Sequence, residues 1–222
     1  MEGNNRKQLL QSIETEAKNY FEDASGCHDW SHVERVRALA LRIGEAEGAD
    51  PFVLEAAALL HDVSRPEEMK QGGGFCHAEH GAEEAGKILS RYGCSEEFMT
   101  RVAHCIRTHR KRGKNIPKTI EAKIIFDADK LDALGAIGIG RAFLFAGMVS
   151  KKLYSGKEAE QVAAGKDLGY TDDDTALLEY EMHLKPIKDK MLTDTGRQIA
   201  EERVAFMEDF FDRFRKEIDG AM

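Results

Sequence analysis

The pattern of apolar and polar positions predicts helices along most of the chain. Apolar side chains recur every three or four positions in residues 29–47, which is the spacing of one helix face. Comparable amphipathic stretches cover residues 76–91, 95–110, 119–134, 136–154 and 195–218. Strand-like alternation is scarce, so the sequence predicts an all-α protein.

Residues 52–60 differ from this pattern because they are apolar on nearly every side. A helix of that kind is usually buried on all faces. Asp50 as an N-cap and Pro51 in the first turn predict where it begins, and His61 and Asp62 follow its last apolar residue. An ionised carboxylate at a buried helix end is costly unless it is paired or bound to a metal. We therefore expect a cation against Asp62.

Two glycine-containing stretches interrupt the helices. Residues 155–174 are polar and predict a long loop, whereas residues 71–74, Gln-Gly-Gly-Gly, form either a lid or a plain connector. The region after the long loop is too thin to build a core of its own. We therefore expect a single domain over residues 1–222, with a core at about residues 20–150 and a helical extension at about residues 174–220 packed back on it.

Composition narrows the range of partners. The 222 residues carry a formal net charge of −8 and no basic stripe, so duplex nucleic acid is not an expected partner. No apolar run reaches the ~18 residues of a membrane span, and the first residues lack a signal-peptide core. Four cysteines without CxxC spacing argue against a disulfide framework or a structural zinc site. These features predict a cytoplasmic protein with no membrane partner.

One short cluster of positive charge stands out, and it comprises Arg107, Arg110, Lys111, Arg112 and Lys114. Such a cluster is usually a solvated helix end. Guanidinium and ammonium groups also attract small ligands that carry phosphate. Both interpretations stay open at this point.

Three segments bring candidate metal ligands. His32 shares a helix face with Val36 and Ile43 and should point inward, although a lone inward histidine is more often a satisfied core residue. His61 and Asp62 are adjacent, and both reach an ion that lies near the end of their helix. We expect these three side chains to belong to one site.

The third segment contains three carboxylates, which their spacing separates. Asp127 has Lys123 at i−4 and Lys130 at i+3, so it is predicted to be solvated and charge-paired. Asp129 has apolar neighbours at i−4 and i+4 and needs a partner. Asp132 lies next to Asp129 on that face and is predicted to support it. Two imidazoles and two carboxylates make a mixed site that suits Mn²⁺, Fe²⁺, Co²⁺, Ni²⁺ or Zn²⁺ better than Ca²⁺.

The order His32, His61-Asp62, Asp129 resembles the signature of the HD-domain superfamily of metal-dependent phosphohydrolases, in particular its small stand-alone bacterial and archaeal members. The sequences Leu-Leu-His-Asp-Val at residues 59–63 and Ala-Asp-Lys-Leu at residues 128–131 resemble its central and final motifs. The resemblance covers about residues 27–139. It implies an all-α HD-domain helical bundle in which these four side chains hold one divalent transition metal, with manganese among the expected ions.

The resemblance also implies an activity, namely hydrolysis of a phosphoester or phosphoanhydride by a metal-activated water. We expect a small phosphorylated substrate, a nucleotide, and among these a nucleoside triphosphate cleaved to monophosphate and pyrophosphate. A nucleoside monophosphate phosphatase and a cyclic-nucleotide phosphodiesterase are alternatives within the enzyme class. A non-catalytic nucleotide or metal sensor is the alternative outside it. The sequence favours no oligomeric state.

Roles for individual side chains follow from this expectation. Asp62 would hold the ion and orient the attacking water. Lys130 and Arg65 would neutralise charge on the phosphoryl group. His80 and His109 would contact phosphate or protonate the leaving oxygen.

A second ion is compatible with the same resemblance. Members of the superfamily with two metals add histidines between the second and last motifs, and the histidines in that interval here are His77, His80, His104 and His109. These histidines by themselves bring no carboxylate that would bridge two ions. The sequence therefore favours one ion and leaves a second open.

Overall fold

The computed structural model describes residues 3–22, 24, 26–110, 113–165 and 168–221. Within these ranges the chain is helical and contains no strand, which confirms the all-α prediction. The α-helices are α1 (Gly3–Asn19), α2 (Trp30–Glu47), α3 (Pro51–Leu60), α4 (Arg65–Lys70), α5 (His77–Arg91), α6 (Glu96–Thr108), α7 (Ile120–Leu131), α8 (Gly135–Val149), α9 (Glu158–Ala164), α10 (Ala176–Glu179) and α11 (Asp194–Ile218). Short 3₁₀ segments at Gly26–His28 and Lys185–Lys190 and a π-helical turn at Tyr180–Leu184 complete the secondary structure.

The chain divides into two compact units, Met1–Asp129 and Lys130–Met222. The division falls near the end of α7, so α1 to α6 belong to the first unit and α8 to α11 to the second. The expected single domain with a C-terminal extension packed on the core stays a prediction.

Helix α3 is the centre of the first unit and packs against α1, α2 and α6. Its side chains are buried on almost all sides, as the apolar run predicts. The Asp50 carboxylate accepts a hydrogen bond from the Phe52 amide, and Pro51 occupies the first turn, so the predicted start of the helix is confirmed. Each fully buried Val, Leu or Phe side chain contributes about 1.5–3 kcal/mol, which fixes the position of the residues at the end of the helix.

The second unit is built around α8, which packs against α10 and α11. Tyr180 stacks on Phe211 in its core with ring centroids 4.3 Å apart. One expectation is wrong here, because the predicted loop at residues 155–174 contains the helix α9. The Glu158 carboxylate begins that helix by accepting bonds from the Ser155 amide and the Thr175 hydroxyl, a polar arrangement that leaves no apolar periodicity in the sequence.

All four cysteines are free thiols, two of them buried. No single helix of the described residues is both long and apolar enough to cross a membrane. The bent pair Ile120–Leu131 and Gly135–Val149 meets that criterion together, by length and composition alone.

Candidate metal centre

Asp62 lies at the centre of a cluster of imidazoles in the first unit. It sits in the turn after α3, and only 3% of its surface is exposed. Its two carboxylate oxygens face different sets of side chains. We call the set near Oδ2 the first group (His28, His32, His61 and Asp129) and the set near Oδ1 the second group (His77 and His109).

The first group brings together side chains from three parts of the chain. His28 Nδ1, His32 Nε2 and His61 Nε2 lie 3.6, 3.7 and 3.8 Å from Asp62 Oδ2. Asp129 joins through Oδ1, which lies 3.4 Å from His32 Nε2. The four residues predicted to bind metal therefore lie close together.

Helix α3 orients His61 through its own backbone. His61 is the C-cap of the helix, and its Nδ1 lies 2.8 Å from the Ala58 carbonyl oxygen. Because a carbonyl only accepts, we infer that Nδ1 carries the proton and that Nε2 offers a lone pair toward His32 Nε2, 3.3 Å away. Burial lowers the pKa of His61 to about 4 despite the nearby Asp62 charge, so the ring is neutral and able to bind a metal at pH 7.

The second group repeats this arrangement at the end of α6. His109 is the C-cap of α6, and its Nδ1 lies 2.6 Å from the Ile106 carbonyl oxygen. His109 Nε2 and His77 Nε2 lie 3.6 and 3.2 Å from Asp62 Oδ1, and 3.2 Å from each other. Three ligand atoms, one each from Asp62, His77 and His109, thus lie close together at this second position.

Asp62 is held in its ionised form by these neighbours. Burial raises the pKa of the carboxyl group, but the surrounding imidazoles of His61, His109, His28 and His77 lower the pKa by more. The net result is a pKa well below the usual range for aspartate. A buried carboxylate surrounded by imidazoles is the environment in which a cation replaces protons as the partner.

The donor set fits a divalent transition metal. Three overlapping sets of ligand atoms each lie within 4.8 Å of one another: His28, His32 and Asp62; His32, His61 and Asp129; Asp62, His77 and His109. Metal–ligand bonds of about 2.0–2.2 Å place neighbouring ligand atoms roughly 3 Å apart, close to the separations found here. Imidazole and carboxylate without thiolate suit Mn, Fe, Co, Ni or Zn.

Sequence reasoning missed His28 as a member of the cluster, and it named His77 only as one of four histidines available to a second ion. His28 belongs to a 3₁₀ segment before the N-cap of α2, where no helical periodicity marks an inward side chain. His77 is the first residue of α5 and follows the glycine-rich stretch. Reasoning from the sequence also found no bridging carboxylate for the second set of histidines. Asp62 is a candidate for that role, because its Oδ1 faces His77 and His109.

The four residues predicted to contact the substrate do not form one cluster in the structure. His109 lies inside the second group. Arg65 is near it, with Nη1 3.2 Å from His77 Nδ1. His80 is exposed and packs on Phe75, with ring centroids 4.5 Å apart. Lys130 is half-buried and is the first residue of the second unit.

The prediction that Asp127 is solvated is wrong, because its side chain is fully buried. Ile124 at i−3 and Leu131 at i+4 lie on the same face of α7 and are also buried. The position of Asp127 on this buried face, rather than its two lysine neighbours in sequence, determines its exposure. Asp132 is buried too and forms an ion pair with Arg141 in the second unit.

The basic cluster divides into separate environments. Arg107 and Lys114 are exposed, whereas Arg110 donates to Glu68 at 3.1 Å. Lys111 and Arg112 lie outside the described residues. Arg110 is therefore the member that reaches the surroundings of the second group.

The glycine-rich stretch at residues 71–74 is exposed and continues directly from α4. Gly72 and Gly73 have φ of 66° and 86°, a left-handed conformation that favours glycine, and the Gly73 amide donates to the Glu68 carbonyl. This geometry turns the chain back toward α5. Whether the stretch acts as a lid stays a prediction.

Comparison with known proteins matches the part of the chain that contains the predicted metal ligands. The family model of the HD domain matches residues 29–134, a segment that includes all four predicted metal ligands. Protein YpgQ of Bacillus subtilis is 38% identical over 223 residues, which cover 96% of this chain and 97% of the relative.

Solved structures agree with that match over nearly the whole chain. The crystal structure of Bacillus subtilis YpgQ in complex with ADP superposes with a TM-score of 0.70 at 34% identity, covering 96% of both chains. An HD-superfamily hydrolase from Bacillus thuringiensis gives a TM-score of 0.68 at 32% identity and covers 96% of this chain and 98% of its own. These similarities extend beyond the region that carries the predicted metal ligands.

Proposed function

The chain belongs to the HD-domain superfamily of metal-dependent phosphohydrolases, and from that premise we propose that it hydrolyses a phosphoester or phosphoanhydride bond of a nucleotide. One observation carries the proposal. The buried Asp62 carboxylate turns each of its oxygens toward a separate set of imidazole nitrogens. Protein sites that hydrolyse phosphate esters often place two divalent ions about 3.5–4 Å apart, and a bridging carboxylate is suited to that task.

We propose that two ions bind, one at each group. Asp62 is shared by both ions. The first position is completed by His32, His61 and Asp129, and His28 approaches Asp62 Oδ2 on the same side. His77 and His109 complete the second, so His109 is proposed as an ion ligand in place of the direct substrate contact predicted from the sequence. Mn²⁺, Fe²⁺, Co²⁺, Ni²⁺ and Zn²⁺ all suit this donor set. When bound, such ions lower the pKa of coordinated water and neutralise charge on a phosphoryl group.

The chain's own residues then prepare the site for the reaction. The neutral ring of His61 and the ionised Asp62 are ready to bind metal at pH 7 without releasing a proton from either group. Arg65 and Lys130 are proposed to neutralise phosphate charge, and His80 to donate a hydrogen bond to the substrate. These three roles rest on the sequence prediction.

A nucleotide is favoured because YpgQ, a relative at 34% identity in its structure, was crystallised in complex with ADP. For a nucleoside triphosphate, water would add to the α-phosphorus, the bond from that phosphorus to the oxygen bridging it to the β-phosphate would break, and pyrophosphate would leave. The products are a nucleoside monophosphate and pyrophosphate, which the sequence also favours. The ADP complex of this relative supports a nucleotide with more than one phosphate as the proposed ligand.

The test is a panel of nucleotides incubated with Mn²⁺, Co²⁺, Ni²⁺ or Zn²⁺, with separate measurement of phosphate and pyrophosphate. Pyrophosphate from triphosphates is the expected result. Phosphate from monophosphates alone would identify a phosphatase, and opening of cyclic nucleotides would identify a phosphodiesterase. Nucleotide binding with no turnover under any ion would refute catalysis and favour a sensor.

A further inference from the structure

Glu68 lies directly behind the second group and touches one of its ligands twice. It is a residue of α4 with only 6% of its surface exposed. Its Oε2 lies 2.5 Å from His77 Nδ1, and its Oε1 accepts the His77 backbone amide at 3.4 Å. One carboxylate therefore fixes both the ring and the backbone of His77.

Two arginines hold this carboxylate in place. Arg65 donates from Nη1 to Glu68 Oε2, and Arg110 donates from Nη1 to Oε1 at 3.1 Å. Both Nη1 atoms also lie near His77 Nδ1, at 3.2 and 3.3 Å, but arginine only donates and Glu68 is the sole acceptor among these groups once Nδ1 is protonated. Arg110 directly follows His109, so Glu68 links the positions of both histidines in the second group.

The charges around Glu68 keep it ionised. Its carboxylate accepts from the guanidinium groups of Arg65 and Arg110 and lies against His77 Nδ1, and these donors favour its ionised form. A full negative charge is therefore present as an acceptor at neutral pH. This is the environment that selects the Nδ1-protonated form of a neighbouring imidazole.

Protonation at Nδ1 has a direct consequence at the other end of the ring. It leaves a lone pair on Nε2, the atom that faces Asp62 Oδ1 and His109 Nε2. Histidines that bind metals commonly donate their other nitrogen to a carboxylate, and loss of that partner typically lowers metal affinity 10–100-fold. Glu68 bonds to His77, Arg65 and Arg110, and none of these three belongs to the first group.

We propose that Glu68 is a positioning residue for the second ion: it fixes the ring of His77 in the form and orientation that bind metal. The inference rests on the proposed two-ion function and extends it to a residue outside the ligand set. It predicts that loss of the Glu68 carboxylate weakens metal binding at the second position and leaves the first position, which shares Asp62, unaffected.

The experiment compares Glu68→Gln with Glu121→Gln. Glu121 is a matched control because it is 8% exposed, pairs with Arg101 at 2.9 Å in the same unit and belongs to neither group. Metal-free protein is titrated with Mn²⁺, and bound ions per chain are counted by elemental analysis. We expect Glu68→Gln to keep the tighter ion and to bind the weaker one 10–100-fold less well, with both unchanged in Glu121→Gln.

A measurement without metal keeps the proposal testable if Glu68→Gln folds poorly. Nitrogen-15 NMR of the imidazoles in metal-free wild-type protein should show His77 protonated on Nδ1. A ring protonated only on Nε2 would overturn the proposal without any variant. So would equal binding of two ions by Glu68→Gln and wild type, or equal weakening of both ions.

These outcomes separate this proposal from the proposed function. Wild-type protein that binds two ions and hydrolyses nucleotides, together with an unaffected Glu68→Gln variant, refutes only the role of Glu68. If wild-type protein binds two ions but shows no turnover, catalysis is refuted. The role of Glu68 is then decided by the metal titration alone. Wild-type protein that binds a single ion refutes both the two-ion site and the role of Glu68.

Discussion

The two groups around Asp62 use the same ligand chemistry but differ in charge and in support. Near the first group there are two carboxylates, Asp129 and Asp62 through its Oδ2. Near the second group the only carboxylate among the proposed ligands is Asp62, through its Oδ1. His61 and His109 are each oriented by a carbonyl of their own helix. His77 is instead oriented by the side chain of Glu68.

This difference predicts unequal ion positions. A divalent ion gains more electrostatic stabilisation beside two carboxylates than beside one, so the first position should bind more tightly. Backbone carbonyls at a helix end move only if the helix moves, whereas a side-chain support is lost in a single substitution. The second position is therefore the one that mutation or changes in metal supply should affect first.

The largest effect should come from Asp62→Asn, which removes the carboxylate shared by both groups. Each ion position loses its common ligand, and stabilisation of several kcal/mol is lost from the transition state. We expect activity to fall by about 10³-fold or more, with loss of both ions by elemental analysis. Asp127→Asn is the control, because it changes a fully buried carboxylate of α7 that belongs to neither group. Near-normal turnover in Asp62→Asn would refute the shared ligand.

His109→Ala should separate the two groups. It removes a ligand of the second position and leaves the first intact, so one ion should remain and activity should fall by about 10²-fold. His104→Ala provides the comparison, since His104 lies on the same helix but accepts a bond from the Lys118 amide. Loss of both ions in His109→Ala would mean that the groups are not independent.

Metal removal should destabilise the folded protein, because the clustered imidazoles and carboxylates lose the cation that joins them. Free metal at 100 times its dissociation constant stabilises the folded state by about 2.7 kcal/mol. For a chain of this size that corresponds to roughly 5–10 °C in melting temperature. Thermal unfolding with and without a chelator measures the shift, and the shift should be smaller in His109→Ala than in wild type. Identical melting with and without metal would argue against a bound ion.

The smallest effect should come from His80→Ala. If His80 donates to the substrate, as the sequence predicts, KM should rise by about tenfold, the usual consequence of losing one hydrogen bond to a charged group. Both ions should stay bound, because His80 belongs to neither group. Steady-state kinetics with parallel metal analysis test this, and an unchanged KM would remove His80 from the list of substrate contacts.

The sequence predicts His32, His61 and Asp129 of the first group because these residues lie in or directly after regular helices. His61 and Asp62 end a conspicuous buried helix, and the helical spacing of α2 points His32 inward. The all-α fold follows from the same periodicity. These features depend on neighbours three and four positions away, which the sequence displays directly.

The sequence names His77 and His109 among the candidates for a second ion but does not show that they meet, because the second group depends on contacts between distant segments. His77 and Glu68 are nine residues apart across a glycine-rich turn, and no periodic pattern relates them. The proposed bridging role of Asp62 depends on the packing that brings His77 and His109 close to its Oδ1. The prediction that Asp127 is solvated relied on two lysines nearby in sequence. Its burial instead results from tertiary packing, which the sequence does not display.

The most direct test of the shared carboxylate is anomalous diffraction from crystals grown with Mn²⁺. The account predicts two anomalous peaks about 3.5–4 Å apart, one beside each oxygen of Asp62, with the peak near Asp129 the more fully occupied. A single peak at the first group would contradict the two-ion site. Peaks remote from Asp62 would contradict the metal centre itself.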